Sequence, residues 1–276
     1  MDAIVNNSEL GKKSIQDANY NPQRLFPISR RDKRLELGID PDHLPFHGFD
    51  CWNHYEVSWL NHKGKPIVAT AEVIYDCNSP FLIESKSLKL YFNSFNNTKF
   101  NDLDALIKII IQDLQTSIKA DVIVKINPLD DNKLHLSSGM QGESLDDLDI
   151  ECSVYTVEPM YLKVGKNKVA ETLCSDLLKS NCLVTNQPDW GSIQIDYQGY
   201  QINREGLLQY LVSFRNHNEF HEQCIERIFM DISRYCQPDV LTVYGRYTRR
   251  GGLDINPYRS NKILGQPCLN PRLVRQ

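Results

Sequence analysis

The chain has 276 residues, about twice the roughly 150 residues of a typical domain, so it is long enough to bury a substantial core. Hydrophobic residues make up 41% and charged residues 24% of the sequence, which excludes a largely disordered or low-complexity protein. Its 35 acidic residues outnumber its 31 lysines and arginines, for a net charge of −4. Because proteins that bind duplex phosphate usually carry a basic face, this balance disfavours nucleic acid as a direct partner.

The sequence predicts no targeting or membrane segment. The N-terminal residues hold no apolar stretch of signal-peptide length, and the apolar run from Ile107 to Ile111 is interrupted by Lys108. The eight cysteines include no C-x-x-C pair, which argues against a disulfide framework and a zinc ribbon. We therefore expect a cytoplasmic protein with reduced thiols and no metal, in which one cysteine is a candidate nucleophile.

Composition also indicates how the chain is divided. Residues 1–35 are polar and mixed in charge, which predicts an arm over the surface. Residues 137–149 are the most polar and turn-rich stretch, which predicts a domain boundary. We expect a first unit at residues 36–144 and a second at residues 145–276.

The first half predicts a hairpin followed by a long helix. β-Branched and aromatic residues are enriched in Tyr55–Leu60 and Ile67–Tyr75, and the turn between these stretches predicts a β-hairpin. Aliphatic residues recur at helical spacing from Leu103 to Ile118, with Asn101 as the expected N-cap.

The second half predicts a similar mixture of elements. A helix is expected at Lys168–Lys179, and apolar and polar residues alternate in Ser192–Tyr197 as in a half-buried strand. Leu207–Phe214 is a further strand-like run, and Glu219–Cys236 has the apolar side of a second long helix.

Residues 119 positions apart match in type across the two halves. The match predicts a duplicated strand-to-helix unit, although any strand followed by an amphipathic helix gives some similarity by chance. The order of elements predicts an α+β fold with helices on one face of antiparallel sheets. The matched pairs include Tyr91 and Tyr210, Ser94 and Ser213, Phe95 and Phe214, and Ile110 and Phe229.

One segment combines a nucleophile with an acid. Cys182 precedes Asp189 by seven residues across an Asn-Gln-Pro turn, so both could converge on one pocket. From the residues alone, a buried structural cysteine and a turn aspartate are the simpler explanation, because cysteine is among the most buried residue types. The sequence has neither G-x-G-x-x-G nor a P-loop motif, so a nucleotide cofactor would bind by another route.

Four motifs carry a family resemblance. E-S-K-S-x-K-L-Y begins at Glu84, C-x-V-T-x-Q-P-D-W begins at Cys182, and Phe220-His-Glu and Arg249-Arg-Gly-Gly follow. Together they closely resemble the NADPH-dependent 7-cyano-7-deazaguanine reductases, the nitrile reductases of queuosine biosynthesis, in their long two-unit form.

The resemblance implies a fold and a reaction. The fold is a pair of tandem tunnelling-fold units, each an antiparallel sheet backed by helices. We also expect a homodimer whose small-molecule partner is a deazapurine substrate. The reaction reduces the nitrile to an aminomethyl group with two NADPH as co-substrates and no metal, through a covalent cysteine thioimide.

The resemblance also assigns residues. Cys182 matches the nucleophile, and Asp189 matches the acid that protonates the nitrogen as the thiol adds to the nitrile. A carboxylate such as Glu222 suits the guanine-like edge because two parallel hydrogen bonds fit it, although alone it would be taken for a solvated first-turn glutamate. The substrate positions are Ile83, Glu84, Ser85, His221 and Glu222. The NADPH positions are Ser85, Lys86, Arg250 and Gly251.

Two other functions remain open at this stage. A hydrolase of the GTP cyclohydrolase kind would share the fold and use a metal-bound water, but the sequence lacks closely spaced Cys and His ligand pairs. A non-catalytic RNA-binding module is disfavoured by the acidic charge balance.

Overall fold

The computed structural model describes residues 17, 19–129, 139–263, 270 and 272–276. These residues form two compact units, each assembled from three stretches of chain. The predicted division into an arm and two consecutive units stays a prediction. Unit 1 takes its described residues from Met1–Lys33, Cys51–Leu134 and Arg249–Asp254, and unit 2 takes its own from Arg34–Asp50, His135–Thr248 and Ile255–Gln276.

The described residues contain ten strands and five α-helices. None of these helices combines the length and apolar character needed to cross a membrane. The strands are β1 (Pro27–Ser29), β2 (His47–Leu60), β3 (Pro66–Asp76), β4 (Phe81–Ile83), β5 (Val122–Pro128), β6 (Glu143–Ser144), β7 (Val164–Asn181), β8 (Pro188–Ile202), β9 (Val240–Tyr247) and β10 (Leu253–Ser260). The helices are α1 (Arg31–Glu36), α2 (Ser85–Asn93), α3 (Leu103–Ile118), α4 (Arg204–Ser213) and α5 (His221–Cys236).

Unit 1 contains a sheet in the order β5-β3-β2, which confirms the predicted hairpin of β2 and β3. Strands β3 and β5 pair antiparallel, from Ala69 opposite Pro128 to Tyr75 opposite Val122. Helix α3 packs against β5. Its buried side consists of Leu106, Ile110, Leu114 and Ile118, the residues whose spacing predicted the helix.

The first described residues of the chain also contribute to unit 1. Strand β1 pairs antiparallel with β4, and Ile28 is buried between the partly exposed Pro27 and Ser29. The Tyr20 hydroxyl donates a hydrogen bond of 2.6 Å to Asp113, and the Tyr20 ring stacks on Phe95. This stretch therefore takes part in the packing of unit 1.

Unit 2 contains a sheet in the order β10-β9-β8-β7-β6. The pairs β7–β8, β8–β9 and β9–β10 are antiparallel, and the short strand β6 runs parallel to β7. The register of β7 against β8 shifts between Ser175 and Leu178, which marks a β-bulge. Helix α5 packs against β9, as the apolar spacing of this segment predicts. With helices packed on mostly antiparallel sheets, the chain has the expected α+β fold.

The two units share a helix pair with equivalent hydrogen bonds. In unit 1 the Tyr91 hydroxyl donates to Asp113 and the Ser94 hydroxyl donates to the Tyr91 carbonyl. In unit 2 Tyr210 donates to Asp231 and Ser213 to the Tyr210 carbonyl. These matches support the duplication, but the repeated element is a pair of helices, α2–α3 and α4–α5, rather than a strand followed by a helix.

Three local predictions are wrong, each for a physical reason. Leu207–Phe214 lies in helix α4, which is buried nearly all round, so its apolar run carries no clear period. Lys168–Lys179 lies in strand β7, where the bulge interrupts the two-residue alternation and mimics helical spacing. The N-cap of α3 is Asp102 rather than Asn101, because the Asp102 carboxylate accepts the Ala105 N–H at 2.7 Å.

Candidate active site

The hairpin of β7 and β8 brings Cys182 and Asp189 together. Asn181 pairs with Pro188 and Ser180 with Asp189, and the Cys182 N–H donates to the Gln187 carbonyl at 2.8 Å. In this antiparallel register Cys182 and Asp189 are diagonal neighbours on one face of the sheet, a relation that typically separates Cα atoms by roughly 7–8 Å. Both side chains are buried, with 3% and 5% exposure. The β7–β8 register therefore places the Cys182 thiol and the Asp189 carboxyl group on one face of the sheet.

Two hydrogen bonds hold the turn that carries Cys182, one within the turn and one from the segment before α5. Asn186 has a φ of 58° and donates its N–H to the Cys182 carbonyl at 3.0 Å. Asparagine tolerates this left-handed conformation better than most residues. The Asn218 amide, just before α5, donates to the Asn186 side chain at 2.8 Å. The turn is thus fixed against the segment that leads into α5.

The start of α5 supplies His221 and Glu222. His221 Nε2 lies 3.7 Å from Asp189 Oδ1, and its ring lies edge-on to the Tyr247 ring with centroids 4.2 Å apart. Glu222 is only 1% exposed and occupies the first turn of the helix, where a negative charge is favoured by the helix dipole. Unit 2 therefore holds four of the site residues that the sequence analysis predicts.

A buried ion pair fixes the entry into α5. The Arg227 guanidinium donates to both Glu219 oxygens at 2.7 and 2.9 Å, and His217 Nε2 lies 2.9 Å from the same carboxylate. Burial raises the pKa of Glu219, but the hydrogen bonds from His217 and Arg227 outweigh it and hold this pKa below its usual value. The Asn181 N–H donates to the His217 carbonyl at 2.8 Å, which ties the end of β7 to this pair.

Sequence reasoning missed these supporting residues. Glu219 and Arg227 lie eight positions apart on either side of a helix start, a spacing that gives no recognisable motif. Tyr247 lies in the run Arg246–Arg250, and a basic run is typical of a solvated surface. Both Tyr247 and Arg246 are nevertheless buried, and Arg246 donates a hydrogen bond to the Tyr244 hydroxyl. Nothing in hydropathy alone distinguishes these residues, because their burial follows from the pairing of β9 with β8.

Two other buried thiols of unit 2, Cys224 and Cys236, are poor nucleophiles. Burial raises the pKa of Cys224 to about 12 and that of Cys236 to about 12. Since the thiolate is the reactive form, neither side chain can supply it near neutral pH. Cys182 is a buried thiol on the same face of the β7–β8 hairpin as Asp189.

Unit 1 carries the E-S-K-S motif at the junction of β4 and α2. Glu84 is the N-cap of α2, and its carboxylate accepts the Lys86 and Ser87 N–H groups at 2.6 and 2.8 Å. Burial raises the pKa of Glu84, although these hydrogen bonds oppose the shift. Ser85 and Lys86 form the first turn of α2, and Ile83 ends β4 as a buried residue. The capping role of Glu84 explains why a carboxylate stands directly before this helix.

A glycine-containing turn in unit 1, the glycine turn, carries the Arg249-Arg-Gly-Gly motif. Gly251 and Gly252 have φ values of 64° and 81°, which favour glycine. A Cβ on Gly252 would lie 2.5 Å from Glu56 Cδ, whereas one on Gly251 would lie 3.6 Å from Lys89 Cδ. The backbone at Gly251 is therefore open beside the Lys89 side chain, whereas Gly252 packs against Glu56; Arg250 lies in the same turn. This arrangement suits an anionic ligand that approaches the main chain closely.

Buried His54 supports the glycine turn. Its Nδ1 lies 2.9 Å from the Gly252 carbonyl, and because a carbonyl can only accept, Nδ1 carries the proton. The ring packs edge-on against Phe92 with centroids 4.6 Å apart. Burial lowers the pKa of His54 from 6.5 to about 4, against the opposing effect of the Gly252 hydrogen bond.

The depressed pKa predicts a loss of stability in acid. A histidine that is neutral when folded but protonates near pH 6.5 when unfolded favours unfolding as the pH falls from 6.5 toward 4. We expect this residue to lower the free energy of unfolding by up to about 3 kcal/mol over that window. In urea denaturation, His54→Phe should lower stability at neutral pH and show a shallower pH slope. The exposed His62→Phe variant is the control, and equal slopes for His54→Phe and the native protein would contradict the prediction.

Within the described residues, no three His, Cys, Asp or Glu side chains form a group that could hold a metal ion. The residues expected from the sequence thus fall into two sets. Unit 2 holds Cys182, Asp189, His221 and Glu222, and unit 1 holds Ile83, Glu84, Ser85, Lys86, Arg250 and Gly251.

Two family models match the chain. One, described as "Nitrile reductase, 7-cyano-7-deazaguanine-reductase N-term", matches residues 16–126. The other, described as "QueF-like protein", matches residues 188–264. The second match includes Asp189, the start of α5 and the glycine turn.

Similar proteins cover almost the entire chain. One from Legionella pneumophila (strain Lens), named NADPH-dependent 7-cyano-7-deazaguanine reductase, is 61% identical over 99% of this chain and 96% of its own length. A protein of the same name from Hydrogenovibrio crunogenus is 54% identical over 99% of this chain and 98% of its own length. Another from Dechloromonas aromatica is 53% identical, with coverage of 98% and 95%.

Proposed function

This chain belongs to the NADPH-dependent 7-cyano-7-deazaguanine reductases, and we propose that it reduces the nitrile of that base to an aminomethyl group through a covalent adduct on Cys182. The observation that carries the proposal is the burial of Cys182 and Asp189 on one face of the β7–β8 hairpin. A nitrile needs both a nucleophile at carbon and an acid at nitrogen, and Cys182 and Asp189 are the proposed candidates for these roles.

The first step is addition of the thiol to the nitrile. The sulfur of Cys182 forms a bond to the nitrile carbon, one π bond breaks, and its electron pair moves to nitrogen. Asp189 gives a proton to that nitrogen as the charge develops, so no free imide anion forms. The proton of the Cys182 thiol restores the Asp189 carboxyl group, with His221, 3.7 Å from Asp189, as the proposed relay, so that S–H is added across the nitrile overall. The product of this step is a thioimide that contains every atom of the substrate.

The surroundings of the hairpin favour this step over hydrolysis. Cys182, Asp189 and Glu222 are each at most 5% exposed, so little water reaches the adduct. The tie between Asn218 and Asn186 keeps the turn in place while the thiol reacts. A fixed geometry of nucleophile and acid lowers the entropic part of the barrier.

Glu222 is the proposed anchor for the base. Its carboxylate can accept two parallel hydrogen bonds from the ring N–H and the exocyclic amine of a deazaguanine. Burial strengthens these bonds, and the first turn of α5 favours the negative charge. Ile83, Glu84, Ser85 and His221 remain proposed substrate contacts.

Loss of the Glu222 charge should weaken substrate binding. In a Cys182→Ala background, where no adduct forms, Glu222→Gln should raise the Kd for 7-cyano-7-deazaguanine by the equivalent of about 1–3 kcal/mol. Isothermal titration calorimetry measures this change. Glu205→Gln is a matched control, since Glu205 is an exposed glutamate in the first turn of α4. Equal affinities for the two variants would remove Glu222 from the substrate site.

NADPH supplies a hydride when it is bound, and two are needed for the four-electron reduction of a nitrile. The residues proposed to hold it are Ser85, Lys86, Arg250 and Gly251. Lys86 and Arg250 offer positive charge to its phosphates, and the positive φ of Gly251 leaves backbone open to a close approach. The proposed setting is a cytoplasmic homodimer that contacts no nucleic acid directly.

The decisive test mixes the protein, 7-cyano-7-deazaguanine and NADPH and follows the absorbance of the reduced nicotinamide. We expect substrate-dependent oxidation of two NADPH for each nitrile reduced, unaffected by a metal chelator. Inhibition by the chelator would instead favour the hydrolase of the same fold. RNA binding that weakens with salt, without cofactor oxidation, would favour the RNA-binding module.

A further inference from the structure

The side chain of Gln276 is buried beside the end of strand β9, with only 3% of its surface exposed. Its Oε1 accepts hydrogen bonds from Arg246 Nε at 2.9 Å and from the Leu273 N–H at 3.2 Å. Its Nε2 donates to the Tyr247 carbonyl at 3.0 Å and to Asn256 Oδ1 at 2.8 Å. A glutamine amide has two donor hydrogens and two acceptor lone pairs, so its hydrogen-bonding capacity is filled here.

These hydrogen bonds join two neighbouring strands. Tyr247 is the last residue of β9, and Asn256 lies in β10. Because a buried polar group that loses its partner is costly, the Gln276 amide is confined to this one position. Gln276 thus fixes the main chain of Tyr247, and pairing with Gly191 of β8 holds the same residue.

The Tyr247 ring lies between β8 and the start of α5. A Cβ on Gly191 would lie 3.2 Å from two ring carbons of Tyr247, so the missing side chain at Gly191 makes room for the ring. Gly191 follows Asp189 by two positions in β8. On its other neighbour the ring lies edge-on to His221, with centroids 4.2 Å apart, and His221 Nε2 lies 3.7 Å from Asp189 Oδ1. The ring therefore contacts both the strand that carries the acid and the histidine beside it.

We propose that Tyr247 is a positioning residue, held in place by Gln276, that sets the orientation of the His221 ring toward Asp189. The inference rests on the proposed function, because it takes His221 as the relay that restores the Asp189 carboxyl group. It gives a role in this reaction to two residues outside the predicted site.

The ring of Tyr247, rather than its hydroxyl group, carries this role. Edge-to-face contact between two rings has a preferred geometry, so it restricts both the position and the tilt of His221. Burial is the main reason that the pKa of Tyr247 lies well above 10. The hydroxyl group therefore stays protonated near neutral pH and supplies no base.

The rate of adduct formation at saturating 7-cyano-7-deazaguanine, without NADPH, tests this role. Tyr247→Leu and Gln276→Met should each slow it by about 10–100-fold, because His221 then loses its fixed orientation. Tyr247→Phe keeps the ring and should react at close to the native rate. Substrate affinity, measured by calorimetry in a Cys182→Ala background, should change far less than the rate in all three variants.

A second substitution of Gln276 separates its two sets of partners. The carboxylate of Gln276→Glu can still accept from Arg246 but cannot donate to the Tyr247 carbonyl. We therefore expect Gln276→Glu to slow adduct formation as Gln276→Met does. Circular dichroism melting checks that each variant is folded.

Combination with His221→Ala distinguishes positioning from general stabilisation. In that background, Gln276→Met should slow adduct formation by no more than about twofold, since the ring that it orients is absent. A merely structural role would give the same fold-loss in both backgrounds. Gln198→Met and Tyr200→Leu are matched controls, because both residues are exposed in β8, and these variants should react at the native rate.

Nuclear magnetic resonance of the His221 ring gives a readout that needs no reaction. In protein labelled with nitrogen-15 at histidine, the signals of this ring are identified by their loss in His221→Ala. They should shift in Tyr247→Leu and Gln276→Met, because the ring current of Tyr247 acts on nearby nuclei. The signals of the other histidines should stay in place.

The outcomes separate this inference from the proposed function. Native rates of adduct formation in Tyr247→Leu and Gln276→Met would overturn the inference, as would equal losses from Gln276→Met with and without His221. A native protein that forms no adduct would contradict the proposed function. In that case, shifted His221 signals in both variants would support the positioning of this ring, and unshifted signals would overturn it.

Discussion

Cys182→Ala is expected to abolish both turnover and adduct formation. Cys182 is the buried thiol next to Asp189, whereas burial raises the pKa of Cys224 to about 12. Without NADPH, the native protein mixed with 7-cyano-7-deazaguanine should gain the whole mass of the substrate, because addition to a nitrile expels nothing. Intact-protein mass spectrometry measures this gain.

Cys224→Ala is the matched control for that experiment. It removes a thiol from the same unit and should keep both adduct and turnover. The nucleophile would be a different residue if the mass gain persisted in Cys182→Ala. Loss of the adduct in both variants would indicate damage to the fold and would be checked by their thermal melting.

Asp189→Asn is expected to slow adduct formation by about 10²–10⁴, the usual contribution of a general acid. An amide has nearly the same shape as the carboxyl group but cannot protonate the nitrogen. Noncovalent substrate binding should therefore survive while the first-order rate of adduct formation falls. Rapid-quench sampling followed by mass spectrometry gives that rate.

The control for Asp189 is another aspartate of unit 2. Asp239 is 66% exposed and pairs with Lys168 at the surface, so Asp239→Asn should leave the rate unchanged. A native rate in Asp189→Asn would assign the proton to another donor. His221 would then be the next candidate, since its ring nitrogen lies 3.7 Å from Asp189.

The sequence predicts the long elements well because their patterns are strong. Helix α3 and helix α5 each carry one apolar face over four turns, and a short turn between enriched stretches predicts the β2–β3 hairpin. Patterns fail where burial or irregular pairing removes periodicity. Because helix α4 is buried nearly all round and strand β7 contains a bulge, the sequence predicts a strand in place of α4 and a helix in place of β7.

The site was predictable in part. Cys182 and Asp189 flank a short turn, and a turn between paired strands must bring its flanking residues together. The residues that support the site contact one another in the folded protein but are separated in the sequence, so no local pattern predicts them. Glu219 and Arg227 are paired by the entry into α5, and His54 meets Gly252 although the two lie far apart in the sequence. The N-cap role of Glu84 gives no such signal, because the residues typical of an N-cap are Ser, Thr, Asp and Asn.

The bulge in β7 decides which way the nucleophile faces. On β8 the inward residues carry odd numbers from Asp189 to Tyr197, but on β7 they are Leu173 and Ser175 before the irregularity and Leu178, Ser180 and Cys182 after it. One additional residue in β7 therefore shifts the inward-facing positions from odd to even residue numbers. In a β7 of the same sequence with one residue fewer between Ser175 and Leu178, continuous pairing would turn the thiol to the opposite side of the sheet from its acid. The reactivity of Cys182 thus depends on the number of residues in β7 between Ser175 and Leu178. Insertions or deletions in this segment should therefore be tolerated far less than in a surface loop.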